Sequence, residues 1–128
     1  MKVISQKIIE THKIELIDIG ILTIHNFETR IQTVEDMKLL ISVIGILTNK
    51  QKMPILHTFD QFSLPNKEIR DFWASNDTCI YSKADAFIVS SLGHKITGDF
   101  YLNIEKPSRP TKLFSNKIKA IEWLKKFI

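Results

Sequence analysis

The sequence predicts an α/β fold: a mixed sheet of five or six strands covered by about four helices. Three observations lead there. Residues 3–27 hold two or three short β-prone runs with period-two alternation, joined by turn residues. From residue 33 onward, helical periods alternate with short apolar runs, as strands joined through helices require. The 128 residues are 44% hydrophobic and 25% charged, which fits one folded domain with a real core rather than a disordered chain.

Lys13-Ile14-Glu15-Leu16-Ile17 alternates polar and apolar residues, and Ile21-Leu22-Thr23-Ile24-His25 does much the same. Each predicts a half-buried strand. Asp18-Ile19-Gly20 between them predicts a tight hairpin, because Gly20 takes a positive φ at little cost. Val3 to Glu10 predicts a further strand on the edge. His12 and His25 have no Cys or His at metal-ligand spacing and read as ordinary strand residues.

Thr33-Val34-Glu35-Asp36 opens the clearest helix with a capping-box-like start, and Asn49-Lys50-Gln51-Lys52 ends it. Its apolar residues spread over roughly 220° at 100° per residue, about twice the arc that one sheet face covers. Met37, Leu40, Ile41 and Ile44 form the stripe assigned to the core. Leu39, Val43 and Ile46, at i, i+4, i+7, form a second stripe, assigned to a homodimer interface across a two-fold axis. Gly45 beside it lets backbones approach closely. The competing expectation is that another part of the same chain covers this stripe.

Pro54 to Phe59 predicts a buried strand, and Asp60-Gln61-Phe62-Ser63 the loop after it. Pro65 suits a first helical position, and Ile69, Phe72 and Trp73 form the apolar side of a short helix. Asn76-Asp77-Thr78 breaks it. Ala84 to Val89 predicts the central strand, followed at once by Ser90-Ser91 and a helix in which Leu92, Ile96, Phe100 and Ile104 recur every four residues. Pro107 and Pro110 flank a connector, and Thr111-Lys112-Leu113-Phe114 is a last strand. Ser115 is the expected cap of the final helix, whose stripe is Ile118, Ile121, Leu124 and Ile128.

Charge is uneven: residues 106–128 carry 7 Lys/Arg against 1 Asp/Glu, whereas residues 1–105 carry 11 against 13. Lysines at a helix C-terminus explain the excess, and the alternative is a basic edge for an acidic partner or phosphates. No stacking aromatics interleave the lysines as in single-strand binders, and no nucleic-acid partner is expected. One cysteine, Cys79, excludes an internal disulfide, and Met1 to Lys7 has no signal-peptide core, so a cytoplasmic location is expected. The longest apolar run is too short to span a bilayer. Dinucleotide, P-loop, zinc-protease and Cys-x-x-Cys motifs are absent, and no cofactor, metal site or catalytic residue is expected. Asp60, Asp77 and Asp85 read as turn or capping residues.

Several segments together resemble the small bacterial STAS/SEC14-like proteins, related in fold to anti-sigma-factor antagonists. They are Asp18-Ile19-Gly20-Ile21, Glu68-Ile69-Arg70, Lys83 through Val89, and Thr111 through Phe114 with Ala120 through Leu124. The resemblance implies a non-enzymatic regulatory module that binds a protein partner. Its alternative is a small apolar-ligand or lipid site of the SEC14-like type, bounded by Phe59–Trp73 and the helix after Ser91. The expected binding residues are Phe59, Asp60, Ser63, Arg70, Trp73, Lys83, Ser90 and Ser91. Ser63 and the Ser90-Ser91 pair should lie together at one sheet edge, with Arg70 and Lys83 as the nearest cations.

Overall fold

The computed structural model describes residues 1–128. Its strands are β1 (Val3–Ile8), β2 (His12–Ile17), β3 (Ile21–Asn26), β4 (Met53–Phe59), β5 (Ser82–Ile88) and β6 (Thr111–Phe114). Its helices are α1 (Val34–Leu47), α2 (Lys67–Ala74), α3 (Leu92–Phe100) and α4 (Lys117–Leu124). A π turn at Tyr101–Glu105 prolongs α3, and a 3-10 turn at Lys125–Phe127 prolongs α4. The six strands form one sheet in the order β1-β2-β3-β4-β5-β6. The first two pairings are antiparallel and the last three parallel. The fold is therefore α/β with a mixed six-stranded sheet and four helices, as the alternating periods predict.

Local chemistry places the ends. Gly20 takes φ 88° in the β2–β3 turn, and Ile17 pairs directly with Ile21 across it. Thr33 and Asp36 exchange both bonds of a capping box at α1, and Arg30 grips Asp36 through two nitrogens at 2.6 and 2.7 Å. Asn49 and Lys50 turn left-handed after α1, and the Lys50 amide donates to the Gly45 carbonyl. Two expected starts move by one or two residues. Asn66, not Pro65, opens α2, and Asn116, not Ser115, caps α4; in each case the asparagine side chain accepts the amide three residues on.

Two apolar layers flank the sheet. The larger joins Ile14, Leu22, Ile24 and Ile55 to residues of α1 and α2 and to Tyr101 after α3. The smaller sets Ala120, Ile121 and Leu124 of α4 against Ile21, Leu56, Ala84 and Ala86. Small side chains at Ala84 and Ala86 let α4 approach β5 closely. Of the α4 stripe, Ile121 and Leu124 are buried, whereas Ile118 and Ile128 are exposed.

The second stripe of α1 does not exist as a continuous outer face. Val43 is buried in the larger core, and only Leu39 and Ile46, two turns apart, are exposed. Gly45 faces inward, its Cβ position 2.9 Å from the Tyr81 hydroxyl. The wide apolar arc is covered within the chain by Phe72, Cys79 and Tyr81, which pack against this core. α2 and the α2–β5 connector thus cover the Val43 side of the helix, and Leu39 and Ile46 stay exposed.

A neutral hydrogen-bond chain ties three strands together at this end of the core. The Thr11 hydroxyl donates to His12 Nδ1, His12 Nε2–H donates to Asn26 Oδ1, and the Asn26 amide donates to the Thr58 carbonyl. Burial is the main cause that pushes His12 from 6.5 down to about 4. The unfolded chain takes up a proton near pH 6.5 and the folded chain only near pH 4. Stability is then full above pH 6.5 and falls by about 3 kcal/mol as the pH drops to 4. Urea unfolding of the wild type and of His12→Gln across pH 7 to 4 checks this: the variant should lack that part of the slope.

Candidate functional site

The parallel strands β3 to β6 end at the same edge, where open α/β sheets carry their ligand-facing loops. His94, in the first turn of α3, organises that edge. Its Nε2 is 3.0 Å from the Ser63 carbonyl, which only accepts, so Nε2 bears the proton. Nδ1 is then an acceptor, 3.2 Å from the Ser90 hydroxyl. One buried imidazole therefore ties the β4–α2 loop to the β5–α3 loop, and Ser63 lies beside Ser90 as expected. Ser91 caps α3, its hydroxyl accepting the His94 amide at 3.1 Å.

The other expected site residues divide. Asp60 sits at the same edge, accepting the Glu28 amide at 2.8 Å and His25 Nε2–H at 2.8 Å. These bonds, the amide first, hold its carboxyl below the usual range. Phe59 is half-buried against Trp73, Phe87 and His94, and Trp73 belongs to the core rather than the surface. Arg70 is not a free cation: it pairs with Glu105, donates to the Pro65 carbonyl at 2.9 Å and covers the Phe100 ring. Lys83 stands at the opposite end of β5 from Ser90, about 20 Å away along seven extended residues. Arg70 and Lys83 therefore do not flank the serines.

The apolar space bounded by Phe59, Trp73, His94 and Tyr101 is present at the predicted place, with a cavity of about 30 Å³. That is room for a water, against the roughly 300–1,000 Å³ of small-molecule sites. A second cavity, beside His57 and Cys79, holds about 20 Å³. Burial pushes the Cys79 thiol up to about 12, so it stays protonated and unreactive at neutral pH. No group of three or more His, Cys, Asp or Glu side chains is placed to hold a metal. No helix is long and apolar enough to cross a membrane.

The outer face of α3 is the unexpected feature. The four-residue repeat that predicts this helix does not point at the sheet. Leu92, Ile96, Phe100 and Ile104 are 74%, 59%, 46% and 60% exposed, and His94 and Tyr101 make the buried contacts instead. The π turn advances each residue by less than an α turn, which keeps Ile104 near the line of Phe100. Leu64, half exposed, continues the stripe beside Gly93, whose Cβ position is 3.7 Å from both Leu64 methyls.

Sequence reading also misses a buried charge cluster beneath this face. Asp85 is no turn residue: it is fully buried in β5. Its Oδ1 accepts from His57 Nε2–H at 2.7 Å and from the Ser82 hydroxyl at 2.8 Å, and its Oδ2 accepts from Arg109. Arg109 also donates to the Trp73 carbonyl at 2.6 Å. Burial by itself raises the Asp85 carboxyl, but His57, Arg109 and Ser82 outweigh it and hold it below the ordinary value. An acidic residue inside the run Ala84-Asp85-Ala86-Phe87 is a visible signal of a buried pair; its partner Arg109, set between two prolines, carries none. Arg109→Met leaves the buried carboxylate without its cation and should cost about 3–5 kcal/mol. Exposed Lys83→Met on the same strand should stay within about 0.5 kcal/mol. Urea denaturation of the two variants makes the comparison.

No curated protein and no solved structure matches this chain. A family match covers residues 15–128, from the middle of β2 through α4, and so includes the parallel sheet, the His94 edge, the α3 stripe and the Asp85 cluster. The chain belongs to that family, described as a domain of unknown function, DUF7793.

Proposed function

We propose that the protein is a non-enzymatic interaction module that binds a protein partner through the outer face of α3 and the adjoining β4–α2 loop. The observation that carries this reading is the exposed apolar stripe Leu92-Ile96-Phe100-Ile104 with Leu64. Soluble chains seldom leave so long a stripe in water unless something docks on it. A regulatory, cytoplasmic role of the STAS-like type agrees with such a surface. The SEC14-like alternative, an apolar ligand or lipid, requires one of two things. Either the small cavity between Trp73 and Tyr101 widens about tenfold, or the ligand lies in the cleft of about 500 Å³ between Arg30 and Phe62, whose lining residues are mostly polar but include Phe59 and Trp73. At the edge, the Asp60 carboxyl, held below its usual range, is fixed by the Glu28 amide and His25, and Asp85 with Arg109 is paired inside the core.

A photoreactive side chain placed at Ile96 tests the reading in cells that express the protein. It should cross-link a discrete protein, whether another species or a second copy, and the same group at Lys83 should not. Absence of any protein adduct at Ile96, or an equal yield at Lys83, overturns the reading. A native mass that exceeds the chain by a bound small molecule would favour the ligand alternative.

A further inference from the structure

We infer that the occupant of the α3 face is a second copy of this chain, packed α3 against α3 in antiparallel fashion across a two-fold axis near Thr97 and Gly98. The inference rests on the interaction reading above and specifies its partner. Two observations carry it: the flanking charges and the area.

Lys95 and Asp99 are both exposed and sit on one flank of the stripe. At 100° per residue they fall on the same side of Leu92 and Ile96. Neither belongs to any of the ion pairs within the chain, so both are free to pair across an interface. In an antiparallel helix pair each flank meets its own copy. A two-fold axis midway between residues 95 and 99 then brings Lys95 of each chain to Asp99 of the other. The same axis lies within one residue of the midpoint of the stripe, so Leu92 meets the region of Ile104 and Ile96 that of Phe100. Apolar and charged contacts are satisfied by one symmetry operation, as a self-complementary surface demands.

A fully exposed phenylalanine presents roughly 150–250 Å², and a leucine or isoleucine somewhat less. At their observed exposures, Leu64, Leu92, Ile96, Phe100 and Ile104 together offer on the order of 500 Å² of apolar surface. A standard interface buries about 800 Å² per partner, of which about 60% is apolar. The stripe supplies that apolar share. On α1, Leu39 and Ile46 stand two turns apart over buried Val43 and do not.

Sedimentation of the full chain with charge-swap variants tests the inference. The wild type should sediment as a dimer at about 100 µM. Lys95→Asp and Asp99→Lys should each weaken it by roughly tenfold or more, because like charges then face each other. The double swap Lys95→Asp with Asp99→Lys should restore it to within roughly threefold of wild type, since the reciprocal pairs re-form. Ile96→Glu, at an exposed position, should give a monomer with an unchanged circular-dichroism spectrum. A monomeric wild type, a double swap no better than the singles, or a dimer indifferent to Ile96→Glu overturns it. If the wild type is monomeric while the Ile96 cross-linker captures a different protein, this inference fails and the interaction reading stands. If the cross-linker captures nothing, both fail.

Discussion

The Asp85 carboxylate is the constraint on which the rest of the structure depends. Asp85 lies on β5, which is not the central strand but the neighbour of edge strand β6, and burying an ion there costs several kcal/mol unless its oxygens are paired and hydrogen-bonded. Here the partners come from different parts of the fold: His57 on β4, Ser82 at the start of β5, and Arg109 in the connector before β6. Each acts over a short distance, so β4, β5 and the connector cannot slip without stranding a charge. Arg109 reaches on to the Trp73 carbonyl and so holds the end of α2 in place.

The cluster also supports the aromatic layer beneath α3. His57, held by Asp85, stacks on Phe87 with ring centres 4.3 Å apart. Phe87 and Trp73 both meet Tyr101, edge-on, at 5.6 and 6.3 Å. Tyr101 and His94 are the inward anchors of the helix and its π turn, so the outward direction of Leu92, Ile96, Phe100 and Ile104 is set from below. The Arg70 guanidinium, locked by Glu105, fixes one side of Phe100. The exposed face is therefore anchored from beneath by Tyr101 and His94 and from one side by Arg70.

Helices α1 and α3 show how the same kind of pattern leads to opposite outcomes. α1 has too many apolar residues for one sheet face, and the chain covers most of the surplus with Phe72, Cys79 and Tyr81, leaving only Leu39 and Ile46 outside. α3 has a clean stripe, yet the core at its end of the sheet is already filled by Phe59, Trp73, Phe87 and Tyr101. Little room is left for aliphatic side chains there, and Gly98 packs within 2.8 Å of a Leu113 methyl carbon at its Cβ position. The helix approaches the sheet through glycine, histidine and tyrosine, and its aliphatic residues stay outside.

From its local patterns alone the chain determines its elements. Period-two runs, Gly20, the Thr33 capping box and the alternation after residue 33 are short-range signals, and each acts within a few residues of its cause. They suffice for the mixed sheet and for the nearness of Ser63 to Ser90, since both follow parallel neighbours. Which face of each helix meets the sheet is a different matter. Periodicity reports that a stripe exists, not what already occupies the space opposite. Val43 went inward and the α3 stripe outward because packing is settled by volume contributed from distant segments. Likewise Asp85 announces a buried charge within its own strand, but its cation, 24 residues away, is chosen by the path of the β5–β6 connection. Those pairings are long-range, and only the tertiary structure decides them.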